Sequence, residues 1–487
     1  MNKPLRRVAM AMMAMIVLLL ANATYVQVIR ADALRNHSGN SRTLYQQYST
    51  PRGQIIANGK LLASSEATDS ERFKYKREYA NGPAFAPATG YFSFVYGRGG
   101  IERAENEVLS GTADSLALNR LQRMFSGQKQ QGGNVELTLN PAMQQTAYDQ
   151  LAGSGVRGSV VALNPQDGSI LAMANSPSYD PNRLASLSSD EQQKAWNELS
   201  EAPDDPLVDR ATSTLYPPGS TFKLITAAAA LETGKYDYNS EVTAKSSIKL
   251  PKVDAQLPNY GGATCGTMPT APLWEAMARS CNTAFAEVAG DIGEKKLRET
   301  ARSFGFGQDL DIPMGVEPSS IGDIENQAQL YQSGIGQFNV RMTPMQNAMV
   351  AAAIANDGKV MKPHLVEKTL APDMSVLDRT DSEELGQAVS PDIAHTIRDM
   401  MIKAEQYAGD EGKISGVQIA SKTGTAEHGE GKDPHGWYVA FAPAENPRIA
   451  VAAVVEDGGN VGADATGSKI AAPVARAVIR AGLQGGG

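Results

Sequence analysis

The most informative stretch of this sequence is Tyr216-Pro217-Pro218-Gly219-Ser220-Thr221-Phe222-Lys223. Its prolines and glycine predict a turn, and the alanine-rich residues after it predict a helix that begins near Ser220 and ends near Gly234. Ser220 and Lys223 are three residues apart, so their side chains share one helical face. This spacing is the one that a serine nucleophile with a lysine base requires.

Such a pair has a definite physical requirement. A serine hydroxyl is a weak nucleophile unless a neighbouring base accepts its proton. A lysine can be that base only when its pKa lies well below about 10.4. Burial, the positive end of a helix and a second cation all lower a lysine pKa. The pair alone is weak evidence, because a helix-capping serine and a surface lysine give the same spacing.

Two further motifs strengthen the interpretation. Ser280-Cys281-Asn282 follows a helical pattern in residues 273–279, and Lys422-Thr423-Gly424-Thr425 continues a strand-like run in residues 416–420. The motifs S-x-x-K, S-x-N and K-T-G occur together in penicillin-binding proteins and β-lactamases. A chance match to all three is far rarer than a match to one.

The resemblance extends beyond these motifs. It includes an R-G-x-I element, a G-I-E element, the opening hairpin of a transpeptidase domain and a G-I-G-Q segment followed by T-P, at residues 51–56, 100–102, 160–174, 334–337 and 343–344. Over essentially its whole length, the sequence resembles a class B penicillin-binding protein.

This resemblance implies a role for each residue of the first two motifs. Ser220 would attack the carbonyl group of a D-alanyl-D-alanine stem peptide and form an acyl-enzyme, with Lys223 as its base. Ser280 would pass a proton to the leaving amine. Asn282 would either bind the substrate amide or hold Lys223 in place.

The K-T-G strand is implied to bind the carboxylate of the substrate. Lys422 would attract that carboxylate, and its charge would help to keep the base neutral. Thr423 and Thr425 would add hydroxyl contacts, and Gly424 would let an extended peptide lie close to the strand because it has no Cβ. The oxyanion hole would consist of the backbone N–H groups of Ser220 and Thr425.

The order of patterns predicts an α+β fold. Strand patterns lie at both ends of the region after residue 134, and a mostly helical pattern occupies residues 207–405 between them. We therefore expect one sheet that is completed by distant segments. The resemblance implies a penicillin-binding/β-lactamase-like domain, in which a central antiparallel sheet is flanked by helices and joined to an all-helical part. A chain of 487 residues also has room for a smaller N-terminal module of strands and loops.

The N-terminal residues predict a membrane anchor. Residues 8–29 carry no charge and would span about 33 Å as a helix, enough for a hydrocarbon core of about 30 Å. Lys3, Arg6 and Arg7 keep the preceding end in the cytoplasm and place the rest of the chain outside. A cleaved signal peptide is the alternative, because Ala21-Asn22-Ala23 resembles a cleavage site.

The expected organisation therefore has five parts. They are a cytoplasmic tail, a single transmembrane helix, a non-catalytic module resembling a dimerisation or pedestal domain, a transpeptidase domain and a flexible tail, at residues 1–7, 8–29, 30–134, 135–483 and 484–487.

The composition argues against several kinds of ligand. There are 45 Lys and Arg against 53 Asp and Glu, and the net charge of −8 would repel nucleic acid. Two cysteines and five histidines without an HExxH pair give no support for a zinc site, and we expect neither metal nor cofactor. His428 and His435 are expected at the surface. Trp437 and Tyr438 are expected to pack, with a place in the cleft as the alternative for Trp437.

The two cysteines have a second interpretation. Cys265 and Cys281 are 16 residues apart, and such a pair is expected to form a disulfide after export to an oxidising compartment. Two buried thiols are the alternative. A bridge would tie the S-x-N motif to the segment before it.

Together these features predict a membrane-anchored peptidoglycan D,D-transpeptidase with a role in cell division. Its partners would be D-alanyl-D-alanine stem peptides, β-lactams that acylate it, a separate glycan polymerase and division proteins. The alternatives are a D,D-carboxypeptidase, a β-lactamase, or a non-catalytic β-lactam sensor or division scaffold. The residues before Ser220 argue against a β-lactamase, which has no need of an N-terminal module.

Overall fold

The computed structural model describes residues 3–30, 47–127, 129–266, 269–429 and 431–485. Its strands are β1 (Ile55–Ala57), β2 (Lys60–Ala67), β3 (Tyr75–Tyr79), β4 (Phe92–Ser93), β5 (Gly97–Arg98), β6 (Asn134–Leu137), β7 (Gly158–Leu163), β8 (Ile170–Ser176), β9 (Glu241–Thr243), β10 (Ser247–Lys249), β11 (Gln256–Pro258), β12 (Thr270–Pro272), β13 (Leu310–Asp311), β14 (Gly315–Val316), β15 (Lys359–Met361), β16 (Val366–Leu370), β17 (Val376–Arg379), β18 (Glu384–Gln387), β19 (Ala420–Ala426), β20 (His435–Ala442) and β21 (Ile449–Val455).

The helices begin with one long apolar segment and continue through both halves of the chain. They are α1 (Lys3–Thr24), α2 (Gly82–Thr89), α3 (Gly100–Ala104), α4 (Asn106–Ser110), α5 (Ala117–Ser126), α6 (Pro141–Gly153), α7 (Pro181–Leu184), α8 (Ser189–Ser200), α9 (Arg210–Ser213), α10 (Lys223–Glu232), α11 (Leu273–Ala278), α12 (Asn282–Ser303), α13 (Gln327–Ser333), α14 (Pro344–Ala355), α15 (Pro391–Glu405), α16 (Gly467–Ile470) and α17 (Ala472–Gln484).

A five-stranded antiparallel sheet is built from segments far apart in the chain. Its strand order is β19-β20-β21-β7-β8, so β21 pairs with β7 although more than 280 residues separate them. Strands β7, β20 and β21 are buried along their full length, because both faces of the sheet are covered. This confirms the predicted sheet of distant segments and the predicted β7–β8 hairpin.

Helices cover the two faces of this sheet. On one face, α6 and α17 pack against residues such as Val160, Ala162 and Tyr438. On the other face, α14 packs against β7 and β21, and α10 is buried behind it. Four consecutive alanines in α10, residues 227–230, leave little side-chain volume, so neighbouring helices can approach its backbone closely. The residue before α10, Phe222, is therefore held in a fixed position beside the sheet.

Pro473 lies where two C-terminal helices meet. It occupies the first turn of α17, where a missing N–H costs nothing, and the separate short helix α16 precedes it.

The region between residues 207 and 405 is less helical than the sequence pattern predicts. It contains the ten strands from β9 to β18, each of two to five residues. Strands this short carry too little alternation of apolar and polar residues to be recognised, and β15 begins with an exposed lysine. The prediction of helices there was correct for α10, α12, α14 and α15.

A second sheet lies in the N-terminal half, with the order β17-β16-β6-β1-β2-β3. Two of its strands, β16 and β17, come from the second half of the chain. Behind it, the carboxylate of Glu102 is fully buried and accepts a hydrogen bond from Arg77 Nε at 2.6 Å, while Arg52 Nη2 donates to the Glu102 carbonyl at 2.7 Å. The R-G-x-I and G-I-E elements therefore meet in one buried ion-pair cluster.

Helix α1 is the candidate for a membrane span. The segment Lys3–Gln27 is long and apolar enough to cross a bilayer, and α1 packs against no other part of the described chain.

Candidate active site

Ser220 lies on a 3-10 turn, Gly219–Phe222, and α10 begins only at Lys223. The helix therefore starts three residues later than the sequence predicts. Gly219 has φ +54°, and a Cβ there would lie 2.7 Å from the carbonyl oxygen of Thr425, so only glycine fits this turn. The turn thus packs closely against the end of β19.

The G-I-G segment supports the same turn from the other side. The Gly219 N–H donates to the Gly336 carbonyl at 2.9 Å. A Cβ on Gly336 would lie 2.1 Å from the Gly219 carbonyl oxygen, and Gly336 has φ +73°. The resemblance included the G-I-G-Q segment, but nothing in the sequence predicted its contact with the segment that carries Ser220.

Lys223 is fully buried and faces the second motif. Its Nζ donates to the Ser280 carbonyl at 2.7 Å and to Asn282 Oδ1 at 2.8 Å. Of the two roles considered for Asn282, the geometry places it as a partner of Lys223. Burial, and next the charge of Lys422, hold the pKa of Lys223 well below its usual value. This shift favours the neutral form of the amine, which is the form that can accept a proton.

Ser280 stands between two lysines. Its Oγ lies 3.3 Å from Lys223 Nζ and accepts a hydrogen bond from Lys422 Nζ at 2.8 Å. Ser280 has φ +60°, a left-handed conformation that costs a non-glycine residue about 1 kcal/mol or more. Burial lowers the pKa of Lys422 to about 7. A hydroxyl placed between two amines can pass a proton from one to the other.

The K-T-G residues lie on the edge strand β19, which within the described residues pairs only with β20. Thr423 and Thr425 are partly exposed there. A Cβ on Gly424 would lie 3.0 Å from both the Pro218 carbonyl oxygen and the Trp437 Cβ, so glycine allows the turn before Ser220 to approach the strand. The two residues assigned to the oxyanion hole, Ser220 and Thr425, thus lie on adjoining segments.

Ser220, the residue expected to be the nucleophile, lies slightly apart from this network. In the described chain the Ser220 hydroxyl makes no hydrogen bond with a protein group, whereas Lys223, Ser280, Asn282 and Lys422 are joined by the contacts given above. Hydrogen bonds of a catalytic serine are often loose without substrate and tighten in the complex.

A disulfide braces the second motif. Cys265 and Cys281 are bonded, with their Cα atoms 5.8 Å apart, which confirms the predicted bridge. Next to it, the Asn282 side chain donates to the Pro258 carbonyl at 3.1 Å, and Asn259 Oδ1 accepts from the Thr283 N–H at 3.0 Å. Nothing in the sequence pattern pointed to Asn259, since its role depends on this fold of the chain.

The expectation of two surface histidines was wrong for His435. It is buried, its ring stacks on His428 with centroids 3.6 Å apart, and its Nδ1 accepts from the Asp457 N–H at 3.1 Å. Burial first, and then His428, lower the pKa of His435 to about 4. The ring became buried because β20 begins at this residue and is covered on both faces.

The same residues are the one group in the described chain that could hold a metal ion. Ligand atoms of His428, His435 and Asp457 lie within 4.8 Å of one another. However, the two rings are tilted by only 6° and stacked, so their nitrogen lone pairs do not converge on one point. Coordination by both histidines would require one ring to rotate.

Trp437 is a packing residue, as predicted. It is fully buried, and its Nε1 donates to the Pro217 carbonyl at 3.1 Å, three residues before Ser220. Tyr216 packs edge-on against the same indole and donates to Glu456 Oε1 at 2.7 Å. These contacts hold the segment that precedes the turn.

Comparison with known families agrees with this geometry. A model described as the penicillin binding protein transpeptidase domain matches residues 158–480, and one described as the penicillin binding protein A dimerisation domain matches residues 52–135. The chain is 50% identical to the peptidoglycan D,D-transpeptidase PbpA of Mycolicibacterium smegmatis and 47% identical to the protein of the same name from Mycobacterium tuberculosis, covering 100% of both chains in each case.

Solved structures of penicillin-binding proteins and transpeptidase domains also resemble this chain. A ceftriaxone acyl-enzyme complex of penicillin-binding protein A from M. tuberculosis matches with a TM-score of 0.89 and 46% identity, over 90% of this chain and 100% of that one. A D,D-transpeptidase domain from Eggerthella lenta matches with a TM-score of 0.75 and 31% identity, over 89% of this chain and 98% of that one. The fold and family inferred from the three motifs are thereby confirmed, and this chain belongs to the class B penicillin-binding protein transpeptidases.

Proposed function

We propose that this chain is a peptidoglycan D,D-transpeptidase that cross-links stem peptides through an acyl-enzyme on Ser220. The observation that carries the proposal is the buried Lys223, whose pKa is held well below its usual value by burial and by Lys422, and whose Nζ lies 3.3 Å from the same Ser280 hydroxyl that Lys422 Nζ contacts at 2.8 Å. A buried lysine amine next to a serine-bearing turn is suited to general-base catalysis at neutral pH.

The proposed first step transfers the donor peptide to the enzyme. Ser220 Oγ bonds to the carbonyl carbon of the penultimate D-alanine, and its proton passes to Lys223 Nζ. The C–N bond to the terminal D-alanine then breaks, and Ser280 Oγ delivers a proton to the leaving amine. Lys223 Nζ gives the proton that it took from Ser220 to Ser280 Oγ. Lys422 and the hydroxyls of Thr423 and Thr425 hold the carboxylate of that D-alanine.

The backbone N–H groups of Ser220 and Thr425 complete the proposed chemistry. They would donate to the oxyanion of the tetrahedral intermediate, where one such donor is worth about 10²- to 10³-fold in rate. In the second step an acceptor amine attacks the acyl-enzyme and releases the cross-linked peptide. With a β-lactam, Ser220 opens the ring amide, and the amine product stays attached to the acyl group.

Two other functions were considered. A D,D-carboxypeptidase would use the same residues with water as the acceptor, so only the product distinguishes it. A non-catalytic sensor or division scaffold would gain nothing from two buried lysine amines. Burying such groups costs several kcal/mol, and a cost of that size is expected where a reaction uses the buried amines. The lysine pair therefore favours an enzyme.

The proposed location follows from α1. Residues 8–29 act as an uncleaved single-pass anchor, residues 1–7 lie in the cytoplasm, and the rest of the chain lies outside the membrane. Residues 30–134 form a non-catalytic module and residues 135–483 the transpeptidase domain, with residues 484–487 as a tail. The match of the dimerisation model to residues 52–135 supports this division. Glycan polymerisation then comes from a separate partner enzyme, and division proteins bring the two together.

One reaction tests the proposed activity. The full-length protein is incubated with a pentapeptide-bearing muropeptide and an amine acceptor, and the products are separated by chromatography and mass spectrometry. Cross-linked product supports a transpeptidase, and release of D-alanine alone supports a carboxypeptidase.

Covalent labelling by fluorescent penicillin tests the nucleophile. Ser220→Ala abolishes the label, and Ser213→Ala, at an exposed serine in the same region, retains it. Labelling of Ser220→Ala would show that another residue is the nucleophile.

A further inference from the structure

The distance between Ser280 and Lys422 depends on a strand that, in the part of the chain the structure describes, is paired on one side only. Lys422 lies on the edge strand β19, and its Nζ must stay within 2.8 Å of Ser280 Oγ to share that hydroxyl with the base. Ser280 lies between α11 and α12, in a separate part of the fold. Some other element must therefore hold these two segments at a fixed separation.

The C-terminal end of α15 contacts β19 directly before Lys422. Glu405, the last residue of α15, accepts hydrogen bonds from the Ser421 hydroxyl and from the Tyr438 hydroxyl, the latter at 2.7 Å. Its other oxygen accepts from Arg476 Nε at 3.0 Å and Nη2 at 2.6 Å. The first strand residue before the K-T-G motif is thus tied to α15, to the neighbouring strand and to α17.

Two residues after α15 ends, Tyr407 contacts the segment directly before Ser280. The guanidinium of Arg279 lies over the ring of Tyr407, 5.1 Å from its centroid. Helix α11, which ends at Ala278, packs along α15. A cation–π contact at an exposed site is worth about 0.5–1 kcal/mol. One short piece of chain, residues 405–407, therefore touches the residue before each of the two motifs.

We propose that Glu405 and Tyr407 are positioning residues that set the separation of Ser280 and Lys422. The proposal rests on the proposed acyl transfer by Ser220, to which neither residue contributes a reacting atom. Neither Glu405 nor Tyr407 belongs to any of the three motifs.

A measurable electrostatic consequence follows. Lys422 is the second cause, after burial, of the low pKa of Lys223. If β19 moves away from Ser280, the two amines separate and the pKa of Lys223 rises, because a like charge then disfavours its protonated form less. Since only the neutral amine is a base, the acid limb of the acylation profile moves to higher pH. A contact that merely stabilises the fold would lower the melting temperature without this shift.

The test measures the second-order rate of acylation by fluorescent penicillin against pH, on the full-length protein in detergent. Acylation of the wild type is measured first and alone tests the proposed function. We expect Tyr407→Leu and Ser421→Ala each to slow acylation by about tenfold and to move the acid limb upward. Tyr407→Phe keeps a ring under Arg279 and should restore the wild-type profile.

The matched control is Glu102→Gln, which removes a buried carboxylate on α3 from its partners Arg52 and Arg77, none of which belongs to the three motifs. It should lower the melting temperature and leave the pH profile unchanged. If Tyr407→Leu and Ser421→Ala keep the wild-type pH profile while the wild type is acylated, the positioning role is overturned and the proposed function stands.

Discussion

Lys223 and Lys422 meet at a single hydroxyl group. Their Nζ atoms lie 3.3 and 2.8 Å from Ser280 Oγ, and both side chains are buried. Two ammonium groups so close together in a medium of low dielectric repel each other strongly, so the pair is stable with at most one charge. Because burial and Lys422 hold the pKa of Lys223 well below its usual value, we expect Lys223 to be the base and Lys422 to carry the charge.

The first prediction concerns the pH dependence of acylation. Below the lowered pKa of Lys223 the base is protonated, so the rate falls toward acid. Above about 7, Lys422 loses the charge that attracts the carboxylate of the ligand, so the rate falls toward alkali. The second-order rate constant should thus follow a bell-shaped curve, measured with penicillin G from pH 4 to 10. The two limbs belong to the lysine pair as a unit.

Lys422→Arg provides the control for this curve. Arginine keeps its charge at every pH in this range, so the alkaline limb should disappear, although the rate is lower throughout because the bond to Ser280 changes. An alkaline limb that persists in this variant would assign it to another group.

The second prediction tests the support of the Ser220 turn. Gly336→Ala places a Cβ within 2.1 Å of the Gly219 carbonyl oxygen at a positive φ, so the turn must shift. A displacement of about 1 Å at a nucleophile costs about 10²-fold in rate. We therefore expect acylation to fall by about that factor, measured by penicillin labelling of the folded fraction.

Gly315→Ala is the matched control, because a Cβ there has no atom within 4 Å and the residue has no positive φ. It should acylate at the wild-type rate. Equal rates for Gly336→Ala and Gly315→Ala would show that the G-I-G turn does not support Ser220.

The catalytic motifs could be predicted from the sequence, but the residues that hold those motifs in position could not. Ser220, Lys223, Ser280 and Lys422 each lie in a short stretch with its own signature, and their order predicts both the fold and the site. Glu405 has no such signature, because its partners Ser421, Tyr438 and Arg476 lie 16, 33 and 71 residues away in the chain.

The same limit explains the error about His435. Local sequence around it, with glycines, charges and prolines, is typical of an exposed loop. Its burial follows from the pairing of β20 with β19 and β21, which makes His435 the first residue of a strand that is covered on both faces. The residue at which a strand begins depends on its pairing partners, and the local sequence does not show them.

The third prediction concerns the disulfide. In the chain-entropy model a bridge across about 16 residues stabilises the protein by about 3 kcal/mol. Cys281 lies between Ser280 and Asn282, so loss of the bridge should also loosen both partners of Lys223. The wild type treated with a phosphine reductant should unfold at a lower urea concentration and acylate more slowly.

The double variant Cys265→Ser/Cys281→Ser separates these effects from non-specific action of the reductant. It should resemble the reduced wild type and should not respond to reductant. If reduction leaves the acylation rate of the wild type unchanged, the bridge stabilises the fold without positioning the motif.

The fourth prediction follows from the low pKa of His435, which burial and His428 reduce from the ordinary 6.5 to about 4. The folded state favours the neutral ring, so the unfolded chain binds more protons than the folded chain between these values. The contribution of His435 to the free energy of unfolding is therefore fully present above pH 6.5 and is lost as the pH falls toward 4. The charged groups around the ring include Asp457, Arg157 and Lys432, and of these only Asp457 favours its protonation. Between pH 7 and 5 the lost contribution is about 2 kcal/mol.

Urea unfolding of the full-length protein at pH 7 and pH 5 measures this loss. His435→Gln keeps a polar side chain of similar length but cannot titrate, so its free energy of unfolding should fall by about 2 kcal/mol less than that of the wild type over the same interval. If His435→Gln and the wild type lose the same free energy between the two pH values, the acid sensitivity of the fold comes from groups other than the stacked imidazole pair.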